Sequence, residues 1–157
     1  MMRLIHKISE HVSYDEATYS TTAMKRGIDN TPGDEELASM TCVALRVFEP
    51  LREYFGVPIG ITSFYRSKAL NLAVGGSRTS SHIRGEAMDL DGDLYRSVTN
   101  RELFNYIKDN LEFDQLIWEF GTDDEPAWVH VSYSSLNNRG EVLRAYKENR
   151  RTKYKFI

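Results

Sequence analysis

The sequence predicts an α+β domain, and three observations carry that prediction. Stretches that alternate every second residue and stretches with a period of three to four occur in mixed order, not in strict β-α succession. No segment repeats. The length of 157 residues suits one domain, expected to span residues 1–157 and large enough to fold without a disulfide framework.

Each element has a local cause. Residues 12–33 form a loop-rich lead-in with helix starts at Ser13 and Ser20, then Gly27 and the turn cluster Asn30-Thr31-Pro32-Gly33. From Asp34, an N-cap candidate, Leu37, Met40, Ala44, Val47, Leu51 and Tyr54 recur at helical spacing up to Gly56; Pro50 should kink or split this helix. Residues 57–66 are β-rich, and simple alternation puts Ile59, Ile61 and Ser63 on one face and Thr62, Phe64 and Arg66 on the other. A short helix over 67–74 stops at Gly75-Gly76.

In the next strand Met88 and Leu90 point one way, Ala87 and Asp89 the other. Thr99 and Glu102 form a capping box ahead of an amphipathic helix over 100–111. Two strands follow around the hairpin-like loop GTDDEP: Gln115, Ile117 and Glu119 share a face of the first, and Trp128, His130 and Ser132 share a face of the second. The basic C-terminal stretch with Arg144, Lys147, Arg150, Arg151, Lys153 and Lys155 reads as a short solvated tail.

Composition narrows the function. Hydrophobic residues at 41 % and charged residues at 27 % are ordinary globular usage, which excludes disordered and fibrous classes. A formal net charge of -3 offers no basic excess for a phosphate backbone, so nucleic acid is not an expected partner. No window approaches the roughly 18 apolar residues of a spanning helix, and none of the first residues builds a secretory signal. The chain is therefore expected to be made in the cytoplasm as a monomer without membrane insertion. The single Cys42 reads as a small hydrophobe in a helix, and His6 and His11 as surface residues without neighbours.

Three side chains suit a borderline metal ion: His82, Asp89 and His130. Catalytic zinc commonly uses three nitrogen or oxygen ligands and keeps a fourth position open. Gly85 permits a tight reversal that folds His82 back over the strand of Asp89, Ala87 leaves room on that face, and sheet pairing brings in His130. Asp89, Asp91 and Asp93 also suggest a calcium loop, but Gly92 holds the wrong place and no glutamate closes it.

The pattern Ser80-x-His82-x-x-Gly85-x-Ala87-x-Asp89, followed by Trp128-Val129-His130-Val131, resembles the zinc D-alanyl-D-alanine carboxypeptidases and L-alanyl-D-glutamate endopeptidases that cut peptidoglycan stem peptides. Gly27-Ile28-Asp29-Asn30, Pro50-Leu51-Arg52, Thr62 to Ser67, Asn71 and Gly75-Gly76 extend the resemblance from about Ser20 to Tyr133. It implies the hedgehog/DD-peptidase type of α+β fold, a small antiparallel sheet flanked by helices, and one Zn²⁺ held by His82, Asp89 and His130.

Hydrolysis also needs a proton shuttle. Glu119 is the candidate, since alternation sets it opposite in direction to Trp118 and the segment Phe113 to Glu119 looks like the strand that carries the catalytic glutamate in hedgehog-like relatives. Several relatives instead have an acid three residues before the last histidine; that position is Ala127 here, and Glu125 is the alternative base. Arg66 is suited to an oxyanion or a substrate carboxylate, Ser80 to substrate binding or to capping its loop, and Trp128 to a cleft wall or the sheet core. Phe64, where many relatives have glycine, is expected to narrow the cleft near Arg66.

The expected function is a zinc peptidase acting on a stem-peptide amide bond, as exopeptidase or endopeptidase, with peptidoglycan as partner. The alternative is a zinc-stabilised, hedgehog-like binding module for wall fragments or a protein. Without a leader, such an enzyme is expected to be a phage-type lysin or prophage product that reaches the wall after release.

Overall fold

Local hydrogen bonds set the first half of the chain. The computed structural model describes residues 6–157. A two-stranded antiparallel sheet, β1 (Lys7–Ser9) and β2 (Val12–Ser13), leads into α1 (Tyr14–Thr18) and α2 (Thr21–Arg26). Ser13 and Ser20 cap these helices as expected, their hydroxyls accepting from the N–H groups of Glu16 and Ala23. Gly27 closes α2 with a left-handed φ of 62°.

The long helical segment runs as α3 (Asp34–Val43), a π-helical turn over Ala44–Phe48, and α4 (Glu49–Phe55). The cap falls on Gly33, and Asp34 is the first helical residue, so its charge lies in the first turn with Glu35 and Glu36. Pro50 sits at the start of α4, and the wider winding just before it lets the ring clear the preceding carbonyls. The expected break is therefore a widened turn.

The main sheet has six strands in the order β3 (Gly60–Ser63), β4 (Ala87–Asp91), β6 (Trp128–Ser132), β5 (Gln115–Glu119), β7 (Glu141–Glu148), β8 (Arg151–Phe156). All neighbours are antiparallel except β5 and β7, which run parallel. The fold is α+β as the sequence predicts, with this one parallel pair added. The basic C-terminal stretch is not a free tail. It forms the β7–β8 hairpin, anchored where Leu143 and Ala145 pack on Ile117, while β8 stays exposed along its length.

The short helix expected after Arg66 is α5 (Lys68–Ala73), capped by Ser67. One face of the sheet makes the core. Met88, Leu90, Leu116, Val129 and Val131 pack against Met40, Val47 and Leu51 of the long helical segment and Leu103, Phe104 and Ile107 of α6 (Asn100–Asn110). Each such side chain contributes about 1.5 to 3 kcal/mol when fully buried. The Thr99–Glu102 capping box opens α6 as expected. No helix of the described residues is long and apolar enough to cross a membrane.

One irregularity redirects the chain beside the second face. In the β3–β4 pair Ile61 stands opposite Leu90 and Ser63 opposite Asp89, so Thr62 is an extra residue that reverses the alternation. Ser63 thereby shares the face of Asp89, and Phe64 turns into the core at 1 % exposure. The expectation that Phe64 narrows the cleft is corrected by this bulge.

Candidate metal centre and its cleft

The second face of the sheet brings the three expected ligands together. Asp89 and His130 are opposed across the antiparallel β4–β6 pair. His82 lies in a tight turn over Ser81–Arg84 that ends at Gly85, whose φ is 71°. A side chain at Gly85 would meet the Glu36 carbonyl oxygen at 2.6 Å, so glycine provides both the reversal and the close seat on α3.

Asp89 Oδ1 lies 3.0 Å from His130 Nδ1 and 3.3 Å from His82 Nε2. The candidate ligand atoms of the three residues all lie within 4.8 Å of one another. His82 Nδ1 is 2.7 Å from the Phe64 carbonyl oxygen, which can only accept; a ring proton therefore belongs on Nδ1, and Nε2 is the atom turned toward Asp89. Burial opposes charge on Asp89, yet the two imidazoles hold its carboxyl far below the usual carboxylate range. Two imidazole nitrogens and one ionised oxygen converging on a small volume can hold a divalent ion of zinc's preference.

Glu119 ends β5, opposite Trp128 and two residues beyond Ile117, which opposes His130. It is only 7 % exposed. Burial pushes its carboxyl up to about 7; the Asp89 charge adds to the rise, and His130 and Arg66 oppose it. A carboxyl of that kind exchanges protons near neutrality.

Arg66 follows β3, and its backbone N–H donates to the His82 carbonyl at 3.2 Å. Asn30 clamps both sides of it: the amide donates to Tyr65 O at 3.1 Å and Thr18 O at 2.8 Å, and Oδ1 accepts from Ser67 N–H at 2.7 Å. Burial lowers the guanidinium's pKa, while Asp89 and Glu119 favour its charge. Its buried Nε has no partner among the described residues.

Arg66, Ser80, His82, Asp89, Glu119, Trp128 and His130 all line one cleft of about 690 Å³. Ser80 also caps its turn, its hydroxyl accepting from His82 N–H at 3.3 Å. The Trp128 ring stands 5.4 Å from Phe120, at the cleft and not in the core. Glu125 is elsewhere: its carboxylate accepts from the Arg101 N–H in the first turn of α6. Asp91 accepts from Asp93 N–H and Asn100, apart from the cleft, so the three aspartates do not assemble.

Some features escaped the sequence reading. Asn30 stood out in a turn cluster and in the Gly27-Ile28-Asp29-Asn30 resemblance but with no role attached, and nothing in a basic stretch announced that Leu143, Lys147, Thr152 and Tyr154 would line the same cleft. His11 is on the surface as expected but not alone, since its ring pairs with Glu49 at 2.7 Å. His6 is exposed, and Cys42 is half-buried on α3.

A comparison with curated proteins returned no match. A family model described as Peptidase M15 matches residues 10–132, which take in both candidate histidines, Asp89, Glu119 and Arg66 and stop before the β7–β8 hairpin. With most of the chain matched and the whole candidate metal centre inside the match, this protein belongs to the Peptidase M15 family.

Proposed function

We propose that this protein is a zinc-dependent peptidase that hydrolyses an amide bond in the peptidoglycan stem peptide, as a D-alanyl-D-alanine carboxypeptidase or an L-alanyl-D-glutamate endopeptidase. The observation that carries this reading is the convergence of His82 and His130 on one Asp89 oxygen, in an open cleft that also holds a buried glutamate. His82, Asp89 and His130 would hold the ion, a donor set that leaves room for substrate and water. When bound, zinc supplies Lewis acidity, polarising the scissile carbonyl and acidifying the attacking water.

The chain's own groups do the rest. Glu119 accepts a proton from the water as its oxygen attacks the carbonyl carbon, then delivers that proton to the leaving nitrogen as the C–N bond breaks. A carboxyl pushed up to about 7 suits both halves of that transfer. Arg66, with a free Nε and a held backbone, donates to the oxyanion or to a substrate carboxylate. Trp128 and Ser80 line the path of the peptide and act in substrate binding.

The test is digestion of purified peptidoglycan by the zinc-loaded protein and by Glu119→Ala, followed by amine assay and mass spectrometry of the fragments. Release of new amines by the parent and not by the variant supports the reading, and the fragment masses name the bond. Equal release by both overturns the role of Glu119. Tight binding of wall fragments without product, with chelation altering only the melting temperature, would make the protein a zinc-stabilised binding module instead.

A further inference from the structure

We propose that the C-terminal hairpin gives the cleft a recognition subsite for a substrate carboxylate, with Lys147 as its cationic contact. The proposal rests on the reading that the cleft accepts a stem peptide, and it selects, within that class, peptides with a free carboxylate at a set distance from the cleaved bond.

Strand parity places Leu143, Ala145 and Lys147 of β7 on one face, and β8 sets Thr152 opposite Lys147 and Tyr154 opposite Ala145. Lys147, Thr152 and Tyr154 line the cleft. The Lys147 ammonium is seated: Nζ donates to Thr152 Oγ1 at 2.7 Å and stands 5.4 Å over the Phe120 ring. Phe120 itself has a φ of 54°, a conformation that a bulky residue adopts only under constraint. Its N–H donates to Ala145 O at 3.1 Å, which ties that turn to β7 and fixes the ring between Trp128 and Lys147.

Among the basic residues of the hairpin, Lys147 is the one that lines the cleft. Arg144 pairs with Asp123 and Lys153 with Glu148, whereas Lys147 has no carboxylate partner among the described residues. Among the described residues, Arg66 and Lys147 are the arginine and lysine on the cleft wall. They stand toward opposite sides of the metal centre, one after β3 and the other on β7.

The spacing gives the substrate its shape. β7 lies two places from β6, the strand of His130, which is about 10 Å across a sheet. An extended peptide covers that span in about three residues. A carboxylate two to three residues from the cleaved amide, on the hairpin side, would meet the Lys147 ammonium. In a stem peptide that group is either the free carboxylate of the γ-linked glutamyl residue or the chain's terminal carboxylate. The hairpin lies beyond residues 10–132, so this subsite stands outside the matched region.

Binding and turnover are measured separately on the metal-loaded protein, with three synthetic stem peptides: fully free, amidated at the glutamyl carboxylate, and amidated at the C-terminus. One amidation is expected to raise the wild-type Kd and KM about tenfold, the effect of one charge-assisted hydrogen bond. Lys147→Met should show the same rise with the free peptide and no further rise on that amidation. Lys153→Gln, on the opposite face of β8, serves as the control and keeps the wild-type preference. Whichever amidation matters identifies the carboxylate. If Lys147→Met keeps the wild-type preference, or if wild type has no preference or binds none of the peptides, the proposal is overturned. Selective binding without turnover supports the subsite and defeats the hydrolase reading; turnover without selectivity does the reverse.

Discussion

Asp89 and His130 face each other directly across the β4–β6 pair, Oδ1 to Nδ1 at 3.0 Å, and His82 reaches the same oxygen from its turn at 3.3 Å. One carboxylate oxygen shared by two imidazoles is best satisfied when a cation takes the space between them. Wild type is expected to bind one zinc per chain and to melt at a higher temperature when zinc is added. Asp89→Ala should lower zinc affinity at least about 100-fold, since even residues behind the ligands typically change affinity by roughly 10- to 100-fold. Elemental analysis and melting curves with and without zinc check this; a variant that still gains stability from zinc would remove Asp89 from the site.

Glu119 links function to stability with a definite sign. Its carboxyl rises from an ordinary 4.5 to about 7 because burial favours the neutral form. The folded state therefore holds this proton more tightly than the unfolded state, and ionising it destabilises the fold. The stabilisation is fully present below about 4.5 and is lost as pH rises toward about 7. In the metal-free protein, Glu119→Gln should gain roughly 2 to 4 kcal/mol at pH 8 and nothing at pH 4; in the zinc-loaded protein the same variant should abolish turnover. Urea unfolding at the two pH values measures the first effect. For the active enzyme, kcat/KM should fall on the acid side as Glu119 becomes protonated, with the midpoint moved below 7 by the metal's charge.

Strand parity made this site legible. Placing Asp89 opposite Met88 and Leu90, and Glu119 opposite Trp118, needs only the two-residue period; in the folded chain Met88, Leu90 and Trp118 join the core while Asp89 and Glu119 line the cleft. Parity failed at Phe64 because a bulge at Thr62 inserts one residue, which leaves no trace in composition. The β7–β8 hairpin was hidden for a different reason. β8 buries no side chain, β7 buries only Leu143 and Ala145, and its parallel pairing with β5 is a long-range contact. A stretch of Lys and Arg without an apolar face reads as a tail.

Asn30 is the residue that fixes Arg66 in place without touching the chemistry. Its side chain satisfies the carbonyls of Thr18 and Tyr65 and the N–H of Ser67, so the loop on both sides of Arg66 depends on one amide. Asn30→Ala leaves these groups unpaired, with an expected loss of about 1 to 3 kcal/mol. Activity should fall further than stability alone explains, because Arg66 loses its set orientation. Zinc content separates this from damage to the ligands: it should stay at one per chain while kcat/KM drops. Loss of zinc along with activity would show that Asn30 supports the whole site and not Arg66 in particular.

Phe64 supplies two things at once, a ring to the core and a carbonyl to His82. The ring is 1 % exposed, and the carbonyl oxygen lies 2.7 Å from His82 Nδ1. Phe64→Ala should therefore lower the unfolding free energy by about 3 to 5 kcal/mol, as for other large core aromatics. Phe64→Leu keeps most of the volume and should cost less, leaving enough folded protein for kinetics. Because the ring points away from the cleft, the KM of Phe64→Leu should match wild type, while its zinc affinity falls if the carbonyl shifts and His82 loses its fixed tautomer. The opposite outcome, a changed KM with unchanged stability, would put the ring in the cleft and return Phe64 to the face that simple alternation assigns it.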